Sequence, residues 1–428
     1  MMIELNKIYC EPNLETMARL EDNSVDAIVT DPPYGLGREP DPVAMLTAWL
    51  DHGYLEVKGK GFMGKEWDAF VPQPRFWKEA YRVLKPGGHV LSFFGTRTYD
   101  WGVMAMRLAG FEVRDQLAWC FGSGFPKSHD ISKAIDRAAG AEREVVGVHP
   151  DVEKYSLGGQ NADSKFFAGV KGAAKEGRVL TAPATPEAQQ WAGWGSALKP
   201  AMEPVVLARK PLAEKNLAAN VLAWGTGGIN VDGCRVETGE STVRDNNKTI
   251  GGNGIYQGGR AYVTGSTSGR WPANLVHDGS PEVLAGMPET SSGFMPAGTP
   301  RQNSSNPGKN TYSHMEPDKS ANDTFGDSGS AARFFYCAKA DGLERSYGLP
   351  KGKKNRHPTV KPLDLMRWLV RLITPPGGLV YDPYSGSGTT FAACMEEGFQ
   401  FIGSEIDPEH AEVGNIRGRA RRSLFSQE

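Results

Sequence analysis

Residues 379–407 read LVYDPYSGSGTTFAACMEEGFQFIGSEID, and their reading decides the fold. LVYD is a short apolar strand, SGSGTT a Gly-rich turn, FAACMEEG a helix and FQFIGSEID a second strand. Strand, turn, helix and strand in that order form a βαβ unit of the nucleotide-binding kind. Gly386 and Gly388 let the backbone come close to a ligand. No Lys follows Gly388, so the turn is not a P-loop. Glu405 ends the second strand, about 20 residues beyond the turn, where such units carry an acid that holds ribose hydroxyls. With no place for a pyrophosphate, the ligand expected is a nucleoside; a tight turn without ligand is the plain alternative.

Immediately upstream, Leu363, Met366, Leu369, Val370 and Ile373 mark one face of a helix that Pro375-Pro376-Gly377-Gly378 ends. His357-Pro358-Thr359-Val360-Lys361-Pro362 precedes it and, by composition alone, is a rigid loop before a helix N-terminus. At the other end of the chain, SVDAIVT (24–30) is an apolar run that reads as a buried strand. It runs directly into Asp31-Pro32-Pro33-Tyr34-Gly35, and the carboxyl end of a parallel strand is where α/β sheets place their active sites. Asp31 offers a carboxylate. Pro32 and Pro33 stiffen the turn and remove two N–H donors. Tyr34 offers a flat face for stacking. The amino group of a nucleobase is a poor nucleophile, because its lone pair is delocalised into the ring. Two acceptors on its hydrogens, Asp31 and the Pro32 carbonyl, would localise that pair for attack on a methyl group. A Pro-rich turn with no chemistry is the plain alternative.

Further along, Trp77, Ala80, Tyr81 and Leu84 stand at helical spacing, and Pro86 and Gly87 of LKPGG stop that helix. HVLSFFG and FEVRDQLAW follow as strands. This alternation predicts a largely parallel sheet with helices on its faces.

Three zones result: 1–140 and 341–428 with α/β character, and 141–340 rich in Gly, Ser, Asn, Thr and Pro, above all at 239–270 and 290–331. The middle zone is expected to be an inserted, loop-rich recognition region. The 428 residues are enough for two or three domains. Five cysteines stand far apart without a CxxC pair, which argues against zinc and disulfides and fits a reducing cytosol. No metal is expected. No apolar run is long enough to span a membrane, and the first residues read as neither a signal nor a transit peptide. The net charge of −2 is awkward for a nucleic-acid binder. Two local basic clusters offset it: Lys351, Lys353, Lys354 and Arg356, and Arg417, Arg419, Arg421 and Arg422, either of which is otherwise an ordinary solvated segment. Trp191, Trp194 and Trp271 could stack on bases, but each is expected first as a core residue.

Taken together, DPPY near the start, HPTxKP and DPxxGSGTT near the end, and RVLKPGG (82–88) resemble the β class of DNA amino methyltransferases, over roughly half the chain. The resemblance implies a Rossmann-like α/β fold: a mostly parallel twisted sheet with one antiparallel strand, supplied by FEVRDQLAW. It implies transfer of a methyl group from S-adenosylmethionine to a base amino group in double-stranded DNA. Adenine N6 is favoured by Asp at the first motif position, with cytosine N4 as the alternative. An inactive DNA-binding module is the alternative of another class. By the same resemblance Asp31, Pro32, Pro33 and Tyr34 form the catalytic motif. Asp382, Tyr384, Gly386, Ser387, Gly388 and Thr389 form the cofactor loop, His357, Thr359 and Lys361 line the methionine end, and Glu405 holds the ribose. A second copy of the chain and a cognate restriction endonuclease are further candidate partners, in a bacterial or phage-encoded cytoplasmic protein. Where the family often has Gly-Asp after its first strand, this chain has Tyr9-Cys10-Glu11-Pro12. The phrases GSGFPKSHD (122–130), ALKPAMEPVVLARKP (197–211) and GRWPANL (269–275) are expected as core turns and DNA-facing loops.

Overall fold

The computed structural model describes residues 3–57, 59, 68–124, 128–148, 179–238, 244–246, 262–264, 269–292, 327–338 and 344–425. Most of the two Gly/Asn/Ser-rich stretches, 239–270 and 290–331, lies outside the described residues. The chain forms two compact units, Met1–Gly122 with Met202–Glu428, and Ser123–Ala201.

The first unit is built on a nine-stranded sheet. Its strands are β1 (Lys7–Cys10), β2 (Val25–Thr30), β3 (Leu84–Phe93), β4 (Glu112–Cys120), β7 (Met202–Arg209), β10 (Leu275–His277), β13 (Tyr336–Cys337), β14 (Leu379–Asp382) and β15 (Gln400–Glu405). They lie in the order β1-β15-β14-β2-β3-β7-β4-β10-β13. Small two-stranded ribbons pair β8 (Arg244–Asn246) with β9 (Tyr262–Thr264), and β11 (Glu289–Ser292) with β12 (Asp327–Ser330).

Every residue of β2 is buried, as expected of a strand covered on both faces. On one face Ala27, Val29, Leu91 and Phe93 pack under the helices Leu363–Ile373 and Thr389–Glu397. On the other, Ile28, Val90, Tyr381 and Ile402 pack under the helix Pro74–Val83, which buries Phe76, Trp77, Ala80 and Val83. The sheet joins the two ends of the chain: β14 pairs in parallel with β2, and at one edge β1 pairs with β15.

The strand direction departs from expectation at one place. FEVRDQLAW does form a strand, β4, but it runs parallel to the majority. The single antiparallel strand is β7, which pairs antiparallel with both β3 and β4. It comes from MEPVVLAR, a stretch expected as turn and loop. Five consecutive residues of β7, Pro204 to Ala208, are buried between its two neighbours.

The second unit contains the helix Ile131–Ala138, the ribbon β5 (Val145–Val148) with β6 (Val179–Thr181), and the short helix Pro186–Gln190. Buried Asp136 organises it, accepting hydrogen bonds from Arg143 Nη1, the amides of Ala184 and Thr185, and Thr185 Oγ1.

Candidate active site

Asp31 is the first residue beyond β2, and Asp382 is the last residue of the adjacent strand β14. Two motifs at opposite ends of the sequence therefore leave the sheet side by side. They are tied by a hydrogen bond: Thr30 Oγ1 donates to Asp382 Oδ1 at 2.7 Å. The other Asp382 oxygen accepts from Thr390 Oγ1 at 2.6 Å, and Oδ1 also accepts from the Tyr384 amide. Burial pushes the Asp382 carboxyl up to about 6, against these hydrogen bonds.

The loop after β2 is held by side chains from four other segments. Buried Asp68 accepts from the amides of Tyr34 and Gly35, at 2.9 and 3.1 Å. Thr98 Oγ1 donates to the Tyr34 carbonyl at 2.5 Å. The Tyr34 hydroxyl donates to Asp31 Oδ1 at 2.8 Å. The Lys361 ammonium donates to Asp31 Oδ2 at 2.9 Å, to Glu203 Oε2 at 2.9 Å and to the Tyr34 hydroxyl at 3.0 Å. It also lies 4.6 Å from the centroid of the Phe93 ring. Burial works against the Lys361 charge, but the two carboxylates outweigh it and hold the ammonium above the ordinary lysine range. Burial pushes Asp31 upward, with Lys361 opposing and Glu203 adding to the shift. Gly35 has φ +64°, and a Cβ there would meet the Phe70 backbone at 2.9 Å, so this loop admits no side chain at that position.

The Gly-rich loop is held differently, by backbone approach. Gly386 and Gly388 have φ +50° and +77°. A Cβ on Gly388 would fall 2.6 Å from Gly414 Cα, in the helix Pro408–Phe425; one on Gly386 would fall 2.8 Å from His357 Nε2. Burial pushes the His357 imidazole down to about 3, helped by His410, so it is neutral. Its Nδ1 accepts from the Thr359 amide at 3.3 Å. Glu405 accepts from the Gly386 amide at 2.8 Å and from the Asp407 amide at 2.8 Å. Burial raises its carboxyl against those two bonds. Buried Arg417 donates to the Ser387 carbonyl at 2.5 Å and to Thr389 Oγ1 at 3.3 Å, and buried Asn355 donates to Ser387 Oγ at 2.9 Å.

The structure thus joins Asp31, Tyr34 and Lys361 in one cluster, and Gly386, His357 and Glu405 in another. Pro32 is buried, Pro33 partly so, and Tyr384 packs against Phe76 with ring centroids 5.3 Å apart. Thr359 is exposed, and its hydrogen bond to His357 runs through its backbone.

Sequence reasoning missed Glu203, Asp68, Asn355 and the role of Arg417. Glu203 had a signal, an acid at the head of an apolar strand. Arg417 had been grouped with the terminal basic cluster, but it is a buried brace for the Gly-rich loop rather than a phosphate-facing or solvated residue; the side chains of Arg421 and Arg422 lie outside the described residues. Glu11 is engaged by Thr16 Oγ1 and by Arg19, inside its own turn. The three tryptophans are not core residues. Trp191, Trp194 and Trp271 are 39%, 60% and 67% exposed. Trp191 and Trp194 pack edge to face at 5.0 Å, and Arg235 lies over the Trp271 ring.

Among the described residues, no helix is long and apolar enough to cross a membrane, and no cluster of His, Cys, Asp and Glu could hold a metal ion.

Comparison with known proteins places this geometry. The chain is 27% identical over 133 residues to the type II methyltransferase M.HpaI of Haemophilus parainfluenzae, covering 30% of this chain and 36% of that protein. It is 41% identical over 58 residues to the DNA adenine methyltransferase YhdJ of Escherichia coli (strain K12), covering 14% of this chain and 20% of that protein. The matches thus span about a third or less of these relatives' own lengths. Among solved structures, the PvuII DNA methyltransferase (cytosine-N4-specific) aligns with a TM-score of 0.41 and 13% identity, over 100% of this chain and 93% of that one. The N6/N4 DNA methylase family model matches residues 25–146 and 299–415. These segments make up more than half of the chain and carry β2 with the Asp31 loop, and β14 with the Gly-rich loop; the chain belongs to the N6/N4 DNA methylase family.

Proposed function

We propose that this protein transfers a methyl group from S-adenosylmethionine to the N6 amino group of adenine in double-stranded DNA. The observation that carries the reading is the hydrogen bond between Thr30 and Asp382, which fixes the Asp31 loop beside the Gly-rich loop at the same sheet edge. An acceptor for a base and a cradle for a nucleoside are thereby held side by side at the carboxyl ends of adjacent strands.

The residues of the cradle suit S-adenosylmethionine. Gly386 and Gly388 leave backbone open to close approach. Each Glu405 oxygen accepts one backbone N–H and keeps a lone pair free for a ribose hydroxyl. Neutral His357 adds no positive charge to repel a sulfonium. The bound donor supplies an electrophilic methyl group. Asp31 and the Pro32 carbonyl accept hydrogen bonds from the base amino group, which localises its lone pair. Methyl transfer from bound S-adenosylmethionine to that nitrogen would leave the S–C electron pair on sulfur, and Asp31 would take the surplus amino proton. Burial, which favours a protonated Asp31, suits it to that role.

A paired base cannot present its amino group in line to a donor within a crevice. The target must leave the stack, at a cost of a few kcal/mol, with the Tyr34 face available to hold it. Adenine is favoured over cytosine N4 by Asp at position 31. The test is incubation with tritiated S-adenosylmethionine and plasmid DNA, tRNA or total protein, followed by nucleoside analysis. Label recovered as N6-methyladenine from DNA supports the reading; N4-methylcytosine transfers it to the alternative base; label in RNA or protein alone overturns it.

A further inference from the structure

We propose that Glu203 is a second seat for the Lys361 ammonium, which lets Asp31 exchange its lysine partner for the amino group of the incoming base. The inference rests on the methyl-transfer reading. Both Asp31 oxygens are occupied by the protein's own donors, Oδ1 by the Tyr34 hydroxyl and Oδ2 by Lys361. A base amino group that takes a remaining lone pair of either oxygen competes with the donor already there, and one that gives its proton to Asp31 removes the negative charge that faces Lys361. An ammonium has three donors, and those of Lys361 reach Asp31, Glu203 and Tyr34. If Asp31 were its only carboxylate, transfer of the base's surplus proton to Asp31 would strand a charge that is 11% exposed, which is costly. Glu203, 2.9 Å from the same nitrogen, keeps the ammonium paired throughout.

The topology explains how Glu203 comes to stand there. The strands β2, β3 and β14 deliver their carboxyl ends to the site. β7 runs against β3 and β4, so its beginning, not its end, arrives at that edge. Phe93, the last residue of β3, pairs with Val205, and Glu203 pairs with Trp119 near the end of β4. The reversed strand thus brings in an acid that no parallel strand at that place could supply from its start. Glu203 touches Lys361 rather than the reacting atoms, so it is a positioning residue.

The test uses the full chain with Glu203→Gln, which keeps shape and removes charge, Glu203→Asp, and Lys361→Met. Nuclear magnetic resonance of lysine-labelled protein, with the Lys361 signal identified by its loss in Lys361→Met, follows the ammonium directly. In Glu203→Gln its deprotonation should move to lower pH than in the wild type, and Glu203→Asp should restore part of the difference. An unmoved titration overturns the seat, whatever reaction the protein performs. Kinetics then test the exchange. Glu203→Gln should lower kcat/KM for DNA roughly tenfold, the scale of one charge-assisted hydrogen bond, with the affinity for S-adenosylhomocysteine unchanged. The same substitution made in Lys361→Met should cause no further loss. A full additional loss in that background would mean Glu203 acts without Lys361, and overturns the inference. A wild-type protein that methylates no nucleic acid would instead overturn the function proposed above, while the titration still reports on the seat.

Discussion

The loops that follow β2 and β14 leave neighbouring strands at one edge of the sheet, yet they are held in opposite ways. The Asp31 loop is fixed by charged and polar side chains that converge from distant segments: Asp68, Thr98, Glu203 and Lys361. The Gly-rich loop is fixed by two left-handed glycines packed on a helix and a histidine and braced by buried Arg417 and Asn355, with the Gly386 amide turned toward Glu405. The first arrangement sets the charge and protonation of one carboxylate. The second shapes a surface. Under the proposed function, a loop that moves a proton and a loop that embraces a nucleoside need different restraints, and the sheet places them next to each other.

The comparison breaks most sharply at Asp31. Asp31→Asn should reduce methyl transfer by about 10²–10⁴-fold, the range for loss of a proton acceptor, with the melting temperature and cofactor affinity close to wild type. Calorimetry with S-adenosylhomocysteine beside a tritium assay separates the two. A loss of cofactor binding as large as the loss of activity would mean the loops are not distinct in function.

The glycines should respond through stability instead. Gly388→Ala places a Cβ against the backbone of Gly414 at a positive φ, so about 1–3 kcal/mol should be lost. Gly386→Ala meets only the His357 side chain, which can turn aside, so its fold should suffer less while cofactor affinity falls. Urea unfolding of both variants checks the order. A Gly386 variant less stable than the Gly388 variant would show that His357 is rigid.

Tyr34→Phe sharpens the picture of the first loop. A stacking face alone would be kept, but the hydroxyl also bonds Asp31 and Lys361. Loss of one such bond, about 0.5–1.5 kcal/mol, should lower kcat by roughly threefold to tenfold, against a much larger loss in Tyr34→Ala. Equal activity of Tyr34→Phe and wild type would reduce Tyr34 to its ring.

His357 gives the second loop a pH signature. Its folded-state value of about 3 lies below the ordinary 6.5. As pH falls below 6.5, the unfolded chain takes a proton that the folded one refuses, and stability is lost until pH nears 3. Wild type should therefore lose stability faster than His357→Gln when acidified across that window, as read by denaturant midpoints. Parallel curves would mean that His357 is protonated in place. The smallest effect is expected at Glu11, whose partners lie in its own turn. Glu11→Ala should cost about 0.2–1 kcal/mol and leave cofactor affinity unchanged; a large fall in affinity would restore Glu11 to the nucleoside site.

Much of this was legible in the sequence where a local pattern forces a local structure. The run 24–35 gave a buried strand opening into a stiff turn, and 379–407 gave the βαβ unit, because periodicity, glycine and proline act over a few residues. The direction of β4 and β7 was not legible. Both are short apolar runs, and which one is reversed depends on the partners each finds across the sheet. Glu203 and Asp68 were missed for the same reason: an acid in a strand or loop has no meaning until the lysine or amide it faces is in place. The tryptophans were misjudged because large apolar residues are usually buried, and only tertiary placement reveals that these three are exposed.

The pairing of β2 with β14 also has a consequence in time. Thr30 and Asp382, which lock the two loops together, are 352 residues apart. A ribosome adding about 5–20 residues per second needs roughly 20–70 s to pass from one to the other. Throughout that interval β2, whose every residue ends up buried, has left the ribosome without its central neighbour. The nascent chain must carry an exposed apolar strand until its partner is made, so slower translation or a scarcity of chaperones should deplete this protein before one whose sheet closes on consecutive strands. By the same delay, no incomplete chain ending before β14 can hold both loops.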